Sequence, residues 1–183
     1  IVFDGNAQDF HIGLDDTADD LVIGLGSTLG TTTHMAFTED GEITKPLQPA
    51  FNVYPASSQT NIAINTNVVV VWGTEHFDVG ANFASNTFTA PVTGKYLLSA
   101  NIYLQQVDTA AGHVQGWIAT SNREYFDTES LFDGSSDGYH HMKIVVVADM
   151  DASDTAVVKV QQSGGTQQMD IPTSADFSGG LLT

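Results

Sequence analysis

The chain has 183 residues, no cysteine and a formal net charge of -17, from 22 acidic residues against 5 Lys and Arg. This charge disfavours nucleic acid and anionic membrane surfaces as partners, because both are bound through clusters of Lys and Arg. The absence of cysteine excludes disulfides and thiolate metal sites. No apolar run is long enough for a membrane helix, so we expect no membrane insertion.

A short repeat lies near the N-terminus. Residues 9–14 (DFHIGL) return as residues 20–25 (DLVIGL). Each copy alternates apolar residues with others, which predicts a short strand. Residues 15–19 between the copies are typical of a turn. Two copies are compatible with one β-hairpin and also with the end of a fibrous stem built from short repeats.

A second hairpin is predicted between Met35 and Ile43, around the turn at Asp40 and Gly41. Pro46 and Pro49 then interrupt regular structure, which indicates a domain boundary. We therefore predict a β-rich stem or adaptor segment at residues 1–45 and a larger domain at residues 46–183.

The larger domain is predicted to consist of strands separated by turns. The predicted strands cover residues 50–54, 61–64, 67–72, 86–89, 94–105, 113–121, 139–149, 155–162 and 175–183. Because no helical period interrupts them, they indicate an all-β sandwich. Residues 68–72 (VVVVW) and 144–148 (IVVVA) are apolar on both sides of a strand. Such strands lie inside a sandwich or are covered by a neighbouring subunit.

Two separated motifs carry a family resemblance. The first is Phe77 followed by a turn at residues 88–91 (FTAP) and by residues 94–96 (GKY), which open a long strand. The second is the C-terminal stretch 176–182 (DFSGGLL). Together they resemble the globular-head domain of complement component 1q, in the tumour necrosis factor-like superfamily, over roughly residues 48–183.

This resemblance implies a ten-stranded jelly roll that assembles as a homotrimer, with aromatic residues packed along the threefold axis. The residues expected in the core or the trimer interface are Phe88, Tyr96, Tyr103 and Phe177. Leu98 and Gly180 stand where the family usually has aromatic residues. These departures leave the fold prediction intact and argue against transferring the functions of animal complement proteins.

The order of an acidic, repeat-bearing segment and such a head also resembles the distal parts of phage fibres or virion structural proteins. This implies a non-enzymatic, trimeric structural and binding module at the virion surface or outside the cell, which recognises a cell-surface glycan or protein. A secreted lectin-like binding protein is the alternative. A polysaccharide-degrading enzyme is a third possibility, for which the candidate carboxylates are Asp15, Asp16, Asp19 and Asp20.

A candidate calcium site lies between two predicted strands. Asp149, Asp151 and Asp154 fall within one short turn. Calcium takes six to eight oxygen ligands, which carboxylates of one turn can begin to supply. The alternative is a polar turn whose Asp side chains accept hydrogen bonds from the backbone.

Recognition is predicted in the long segment 122–138, which interrupts the regular succession of strands. Loops on a rigid scaffold often carry binding residues. The candidate recognition residues in this loop are Arg123, Tyr125, Phe126 and Asp133.

Overall fold

The computed structural model describes residues 1–130 and 138–183, so Asp133 lies outside the described residues. The described residues form strands and turns and contain no helix, and hence no helix that could cross a membrane. The chain forms two compact units, Ile1–Gln48 and Pro49–Thr183. We call them the N-terminal sheet and the head. The sequence places the boundary nearby, between residues 45 and 46.

The N-terminal sheet is an antiparallel meander of five strands in chain order. Its strands are β1 Val2–Phe3, β2 Phe10–Asp15, β3 Asp20–Leu25, β4 Thr33–Phe37 and β5 Ile43–Thr44. The two copies of the repeat contribute β2 and β3, which pair with Ile12 opposite Ile23 and Asp15 opposite Asp20. The repeat therefore forms one hairpin, and β4 with β5 forms the next.

The head contains all the remaining strands. They are β6 Ala50–Tyr54, β7 Val68–Val69, β8 Thr74–Val79, β9 Phe83–Ala84, β10 Thr87–Thr89, β11 Gly94–Leu104, β12 His113–Thr120, β13 Glu124–Ser130, β14 His140–Met150, β15 Thr155–Ser163 and β16 Asp176–Leu181.

Two antiparallel sheets build the head as a sandwich. The front sheet has the order β14-β11-β16-β6-β8. The back sheet has the order β13-β12-β15-β10-β9, with β7 pairing with β15. The longest pair is β11 with β14, which runs from Gly94 opposite Met150 to Leu104 opposite His140. This pair positions most of the residues considered below.

The core lies between the sheets and is centred on aromatic rings. The ring of Phe51 lies 4.6 Å from that of Phe88, 5.0 Å from that of Phe177 and 5.3 Å from that of Phe83, measured between centroids. Tyr96 is fully buried beside them, and its hydroxyl donates a hydrogen bond to the carbonyl of Val92. Burial raises the pKa of the Tyr96 phenol.

The strand predictions were wrong at two edges of the sandwich. Residues 74–79 form β8, which the sequence did not predict, and residues 124–130 of the predicted loop 122–138 form β13. Both are end strands of their sheets, and most of their residues are exposed. An edge strand exposed on both sides lacks the apolar alternation by which strands are recognised.

Two other predicted strands are shorter or absent. Residues 61–64 form no strand, although the Ile62 amide donates to the Met169 carbonyl. Of residues 67–72, only Val68–Val69 pair as a strand, while Val70 and Trp72 fill the core beside it. Their apolar character therefore reflects burial of the segment and not a continuous ladder.

We predict that Gly179→Ala destabilises the head by about 1–3 kcal/mol, the usual cost of overpacking a core. A Cβ atom at Gly179 would lie 2.6 Å from Leu98 Cδ2 and 2.8 Å from Phe51 Cε1. The matched control is Gly180→Ala, whose Cβ has no neighbour closer than 3.4 Å. The free energy of unfolding in denaturant measures both. Equal stability of the two variants would contradict the packing argument.

Candidate functional site

The outer side of the front sheet carries exposed apolar residues. We call the set Phe77, Leu97, Val145 and Val147 the front face. These side chains are 41–55% exposed. Leu97 lies opposite Val147 on one side and opposite Gly180 on the other, so the residues are neighbours across the sheet. Water-exposed patches of this kind are typical of interaction surfaces.

The front face explains why residues 144–148 are apolar throughout. Ile144 and Ala148 point into the core, while Val145 and Val147 point outward. Because successive residues of a strand point to opposite sides, one strand can serve both surfaces. Among residues 1–130 and 138–183, nothing covers the outward side of this strand fully.

A groove runs along the front face at Gly180. It has a volume of about 240 Å³, and its lining includes Phe77, Leu97, Gly180 and Leu182. Gly180 stands where the resemblance implies an aromatic side chain, and with only a hydrogen there the groove stays open. An apolar side chain of another molecule is the matching occupant of such a groove.

The outer side of the back sheet carries more polar side chains, although the exposed Phe126 lies opposite Trp117 there. The Gln115 amide donates to the Thr128 hydroxyl at 2.7 Å. Lys159 Nζ lies 3.2 Å from Glu124 Oε1. The polar side chains of this surface satisfy one another, so the two outer surfaces of the sandwich differ in chemistry.

The residues expected in the core or interface fall into two groups. Phe88, Tyr96 and Phe177 are fully buried in the core of the single chain. Tyr103 is half-buried on the outer side of the front sheet, where its ring stacks on Tyr139 with centroids 5.8 Å apart. Tyr103 is thus available to a neighbouring molecule, whereas the other three hold the sandwich together.

The candidate recognition residues lie along one edge of the sandwich. Arg123 is in the turn before β13, with Cζ 5.4 Å from the centroid of the Tyr125 ring. Tyr125 packs against the core, and Phe126 points the other way and is 63% exposed. The structure therefore separates these two aromatic side chains, although they are adjacent in the sequence.

Two clefts open at this edge. The first, of about 440 Å³, lies between β13 and β14, and we call it the edge cleft. Its lining includes Arg123, Phe126, Lys143 and Val145. The second, of about 330 Å³, is the end cleft. It is lined by Asn122, Arg123, Tyr125, Asp149 and Asp151.

The three carboxylates of the predicted calcium site have different partners. Asp149 forms an exposed ion pair with Lys95. Asp151 accepts a hydrogen bond from the Thr93 hydroxyl. Asp154 accepts hydrogen bonds from the Asp151 amide, the Ser121 hydroxyl and the Asn122 side chain. The first two of these bonds are the main reason that the pKa of Asp154 lies below its ordinary value.

No group of three or more His, Asp or Glu side chains among the described residues is placed to hold a metal ion. Calcium binding at Asp149, Asp151 and Asp154 therefore stays a prediction, and the bonds of Asp154 show a structural role for that carboxylate.

The acidic residues near the N-terminus sit at one end of a hairpin. Asp15 and Asp20 are opposite each other, and Asp16 and Asp19 lie in the turn. Asp15 Oδ1 accepts a hydrogen bond from the Thr17 amide at 3.0 Å, as in an Asx turn. The contacts observed for this acidic group are those of a polar turn.

Solved structures with the same architecture establish the fold of the head. The globular domain of zebrafish complement 1qA matches 74% of this chain and 98% of its own, with 15% identity and a TM-score of 0.53. Murine APRIL matches 74% and 99%, with 14% identity and a TM-score of 0.54. No family model and no curated protein matches the chain. The head is a jelly roll of the complement 1q and tumour necrosis factor type.

The predicted fold class is thus confirmed, with eleven strands described in the jelly roll where ten were expected. Of the front face, the sequence singled out only Val145 and Val147. The signal for Leu97 was the run Tyr96-Leu97-Leu98, which breaks the alternation of β11. Phe77 was recognised for its motif and not for its exposure.

We predict that Asp154→Asn lowers the melting temperature at neutral pH and that the difference from the unchanged chain vanishes in acid. The folded-state pKa of Asp154 is below the ordinary 3.8, so its carboxylate stabilises the fold above that value. This stability is lost as pH falls through the folded pKa. Melting curves recorded from about pH 7 to about pH 3 measure the difference.

Asp149→Asn is the control for this prediction, because it removes an exposed ion pair of small expected value. A pH-independent difference for Asp154→Asn would show that its charge plays no part.

Proposed function

We propose that this chain is a non-enzymatic, homotrimeric structural and binding module. Its head is displayed outside the cell or on a virion, as at the tip of a phage fibre, and recognises a cell-surface glycan or protein. The observation that carries the proposal is the exposed apolar front face on a fold shared with complement 1q and APRIL.

Burial of the front face favours association of copies. Covering a half-exposed Val or Leu side chain contributes roughly 1 kcal/mol, about half the value for full burial. The chain carries a charge of -17, so copies repel one another wherever their acidic surfaces approach. The front face itself is uncharged, which makes it the part of the head where association costs least.

A threefold ring suits the distribution of these surfaces. The front face and the exposed Phe126 at the β13 edge are different regions of the head. An interface between two different regions repeats head to tail and forms a closed ring when the rotation between copies allows it. We therefore propose that the β13 edge of each head packs on the front face of the next, with Phe126 near the groove at Gly180.

We predict that Val147→Lys converts the trimer to monomers at micromolar concentration. The substitution places an unpaired charge in an apolar interface, which is strongly unfavourable. Sedimentation velocity measures the mass. The matched control is Gln161→Lys on the back sheet, which makes the same change in charge on the polar outer surface.

The sign of the charge change in this test excludes one alternative cause of dissociation. Both variants make the chain less negative, so dissociation by Val147→Lys cannot be attributed to added repulsion. A stable monomer of the unchanged chain would refute the proposed assembly, as would a Val147→Lys variant that remains trimeric.

Recognition is proposed for the end cleft. It combines an aromatic ring, Tyr125, with the polar side chains of Asn122, Arg123, Asp149 and Asp151. Amide, carboxylate and guanidinium groups bond the hydroxyls of a sugar, and an aromatic ring packs against its apolar face. The cleft of about 330 Å³ has room for a short glycan segment.

We predict that Asp151→Ala weakens binding of a glycan identified by screening the intact protein on immobilised glycans. The Asp151 side chain lines the end cleft, and its carboxylate accepts one weak hydrogen bond, from the Thr93 hydroxyl at 3.4 Å. The variant should therefore keep its trimeric state and melting temperature while losing affinity at least about tenfold, the equivalent of about one charged hydrogen bond. Isothermal titration measures affinity, and Gln161→Ala on the back sheet is the control.

A secreted lectin-like protein without a virion context is the second candidate, and the same end cleft supports it. The same glycan-binding test applies to the virion protein and to the secreted protein. Association of the chain with purified virions supports a virion protein, whereas its secretion from an uninfected cell supports a secreted lectin-like protein. Glycan binding without turnover distinguishes both from a polysaccharide-degrading enzyme, for which release of reducing ends would depend on the carboxylates at residues 15–20.

A further inference from the structure

Apolar residues make up most of one side of the N-terminal sheet, where the exposed ring of His34 also packs edge-on against Phe10. Cross-strand pairing aligns the apolar residues in three rows on the same side of the sheet. We call this set the stem face: Phe3, Phe10 and Leu25; Ile12, Ile23 and Met35; Leu14, Leu21, Phe37 and Ile43. The residues of the outer rows other than Leu25 are 39–59% exposed. No side chain of the set can carry a charge.

The repeat creates this side of the sheet directly. Its apolar second, fourth and sixth positions are Phe10, Ile12 and Leu14 in one copy and Leu21, Ile23 and Leu25 in the other. Antiparallel pairing sets Phe10 opposite Leu25 and Leu14 opposite Leu21. Because residues opposite each other point to the same side, both copies contribute all three apolar side chains to one surface.

The middle of the opposite side of the sheet is covered by the chain itself. His11, Val22 and Ala36 point there and are at most 4% exposed. A Cβ atom on Gly13 would lie 2.8 Å from Cδ1 of Leu29, which belongs to the loop between β3 and β4. A Cβ atom on Gly24 would lie 2.6 Å from Nε2 of His11. The glycines of the repeat thus allow this cover, and the stem face is the side left open.

Acidic residues surround the stem face without entering it. At one end of the sheet lie the carboxylates of the two turns: Asp15, Asp16, Asp19, Asp20, Glu39, Asp40 and Glu42. Asp4 and Asp9 lie at the other end. An anionic partner is therefore repelled, and a cationic one finds its counter-charges at the ends of the strands and not on the stem face.

The area of the stem face indicates whether its partner is a separate molecule or one that is already tethered to the chain. Three rows over five strands measure about 15 Å by 20 Å, or roughly 300 Å² per chain. A stable interface between separate molecules buries about 800 Å² per partner. The stem face alone is too small for that. It suffices for copies already held together, because tethering makes a second contact effectively intramolecular.

The connection to the head supplies such a tether. Residues 45–49 link β5 to β6 and span at most about 18 Å. Ala50, the first residue of β6, is in register with Gly180, which is itself opposite Leu97 of the front face. The linker therefore starts beside the surface through which the heads are proposed to associate.

We propose that the stem faces of three chains pack against one another and form a short apolar core, a β-stem that residues 45–49 tether to the heads. The partner is a second and third copy of this chain. The proposal rests on the proposed trimer, since without tethered heads the stem faces are too small to associate.

Single-cysteine cross-linking of the full chain tests the proposal, because the chain has no cysteine of its own. Ile43→Cys places a thiol on the stem face, and Leu14→Cys places one there on another strand. The control is Thr44→Cys, which is exposed and points to the opposite side, in register with Ala36. A short bismaleimide is added to each variant, and sedimentation velocity is run on the same samples.

We expect Ile43→Cys and Leu14→Cys to give at least about tenfold more cross-linked chains than Thr44→Cys, at a yield independent of protein concentration. Adding Val147→Lys should remove the cross-link along with the trimer. Added salt should leave the yield unchanged or raise it, because salt screens the repulsion between the acidic turns.

Each other outcome overturns the proposal in a distinguishable way. Trimers in which Ile43→Cys reacts with a monofunctional maleimide as fast as Thr44→Cys, without cross-linking, have a stem face open to a different partner. Protection from the maleimide without cross-linking would show that each chain covers its own stem face. In both cases the trimer of heads stands. A monomeric unchanged chain refutes the proposed function instead, and the tethered stem with it.

Discussion

The structure depends on one constraint: a β-sheet has two sides, and an apolar side must be covered. In the head, the inner sides of the two sheets cover each other around Phe51 and its neighbouring rings. Among the described residues, no such cover lies on the outer side of the front sheet or on the stem face of the N-terminal sheet. Each unit thus buries one side by itself and leaves apolar residues exposed on the other.

This constraint explains how an acidic chain can associate with itself. A charge of -17 would keep copies apart if the carboxylates were spread evenly. In the N-terminal sheet they are confined to turns at the ends of the strands, and in the head Asp149 is paired with Lys95 at the end of the front sheet. The residues of the front face and of the stem face themselves carry no charge, so association through them does not require burial of carboxylates.

The surfaces proposed for binding and for assembly are different parts of the head. The front face belongs to the regular strands β11 and β14, whose register fixes its shape. The end cleft is built from turns, with Asn122 and Arg123 before β13 and Asp151 after β14. A rigid sandwich that positions variable turns is a common arrangement in binding proteins. A change in the turn residues would alter the ligand without disturbing the core.

The sequence by itself determined the sandwich. The alternation along residues 94–104 and the two motifs around Phe88 and Phe177 are local patterns, and they indicate the strands and the type of fold directly. It also identified 144–148 as apolar on both sides, because that property depends only on strand geometry. The edge strands β8 and β13 escaped prediction, since exposed strands gain their hydrogen bonds from a neighbour and need no apolar pattern.

Only the tertiary structure decided which side of each strand faces water. Leu97 and Leu98 are adjacent and chemically identical, yet one is exposed and the other is fully buried. Two partners of Asp154, Ser121 and Asn122, also come from a turn more than thirty residues away, and only the fold brings them to it. Register and sheet order set these relations, and both arise from pairing between segments that are distant in the chain. Local sequence therefore specified the strands, and long-range pairing determined which of their side chains lie together on each surface.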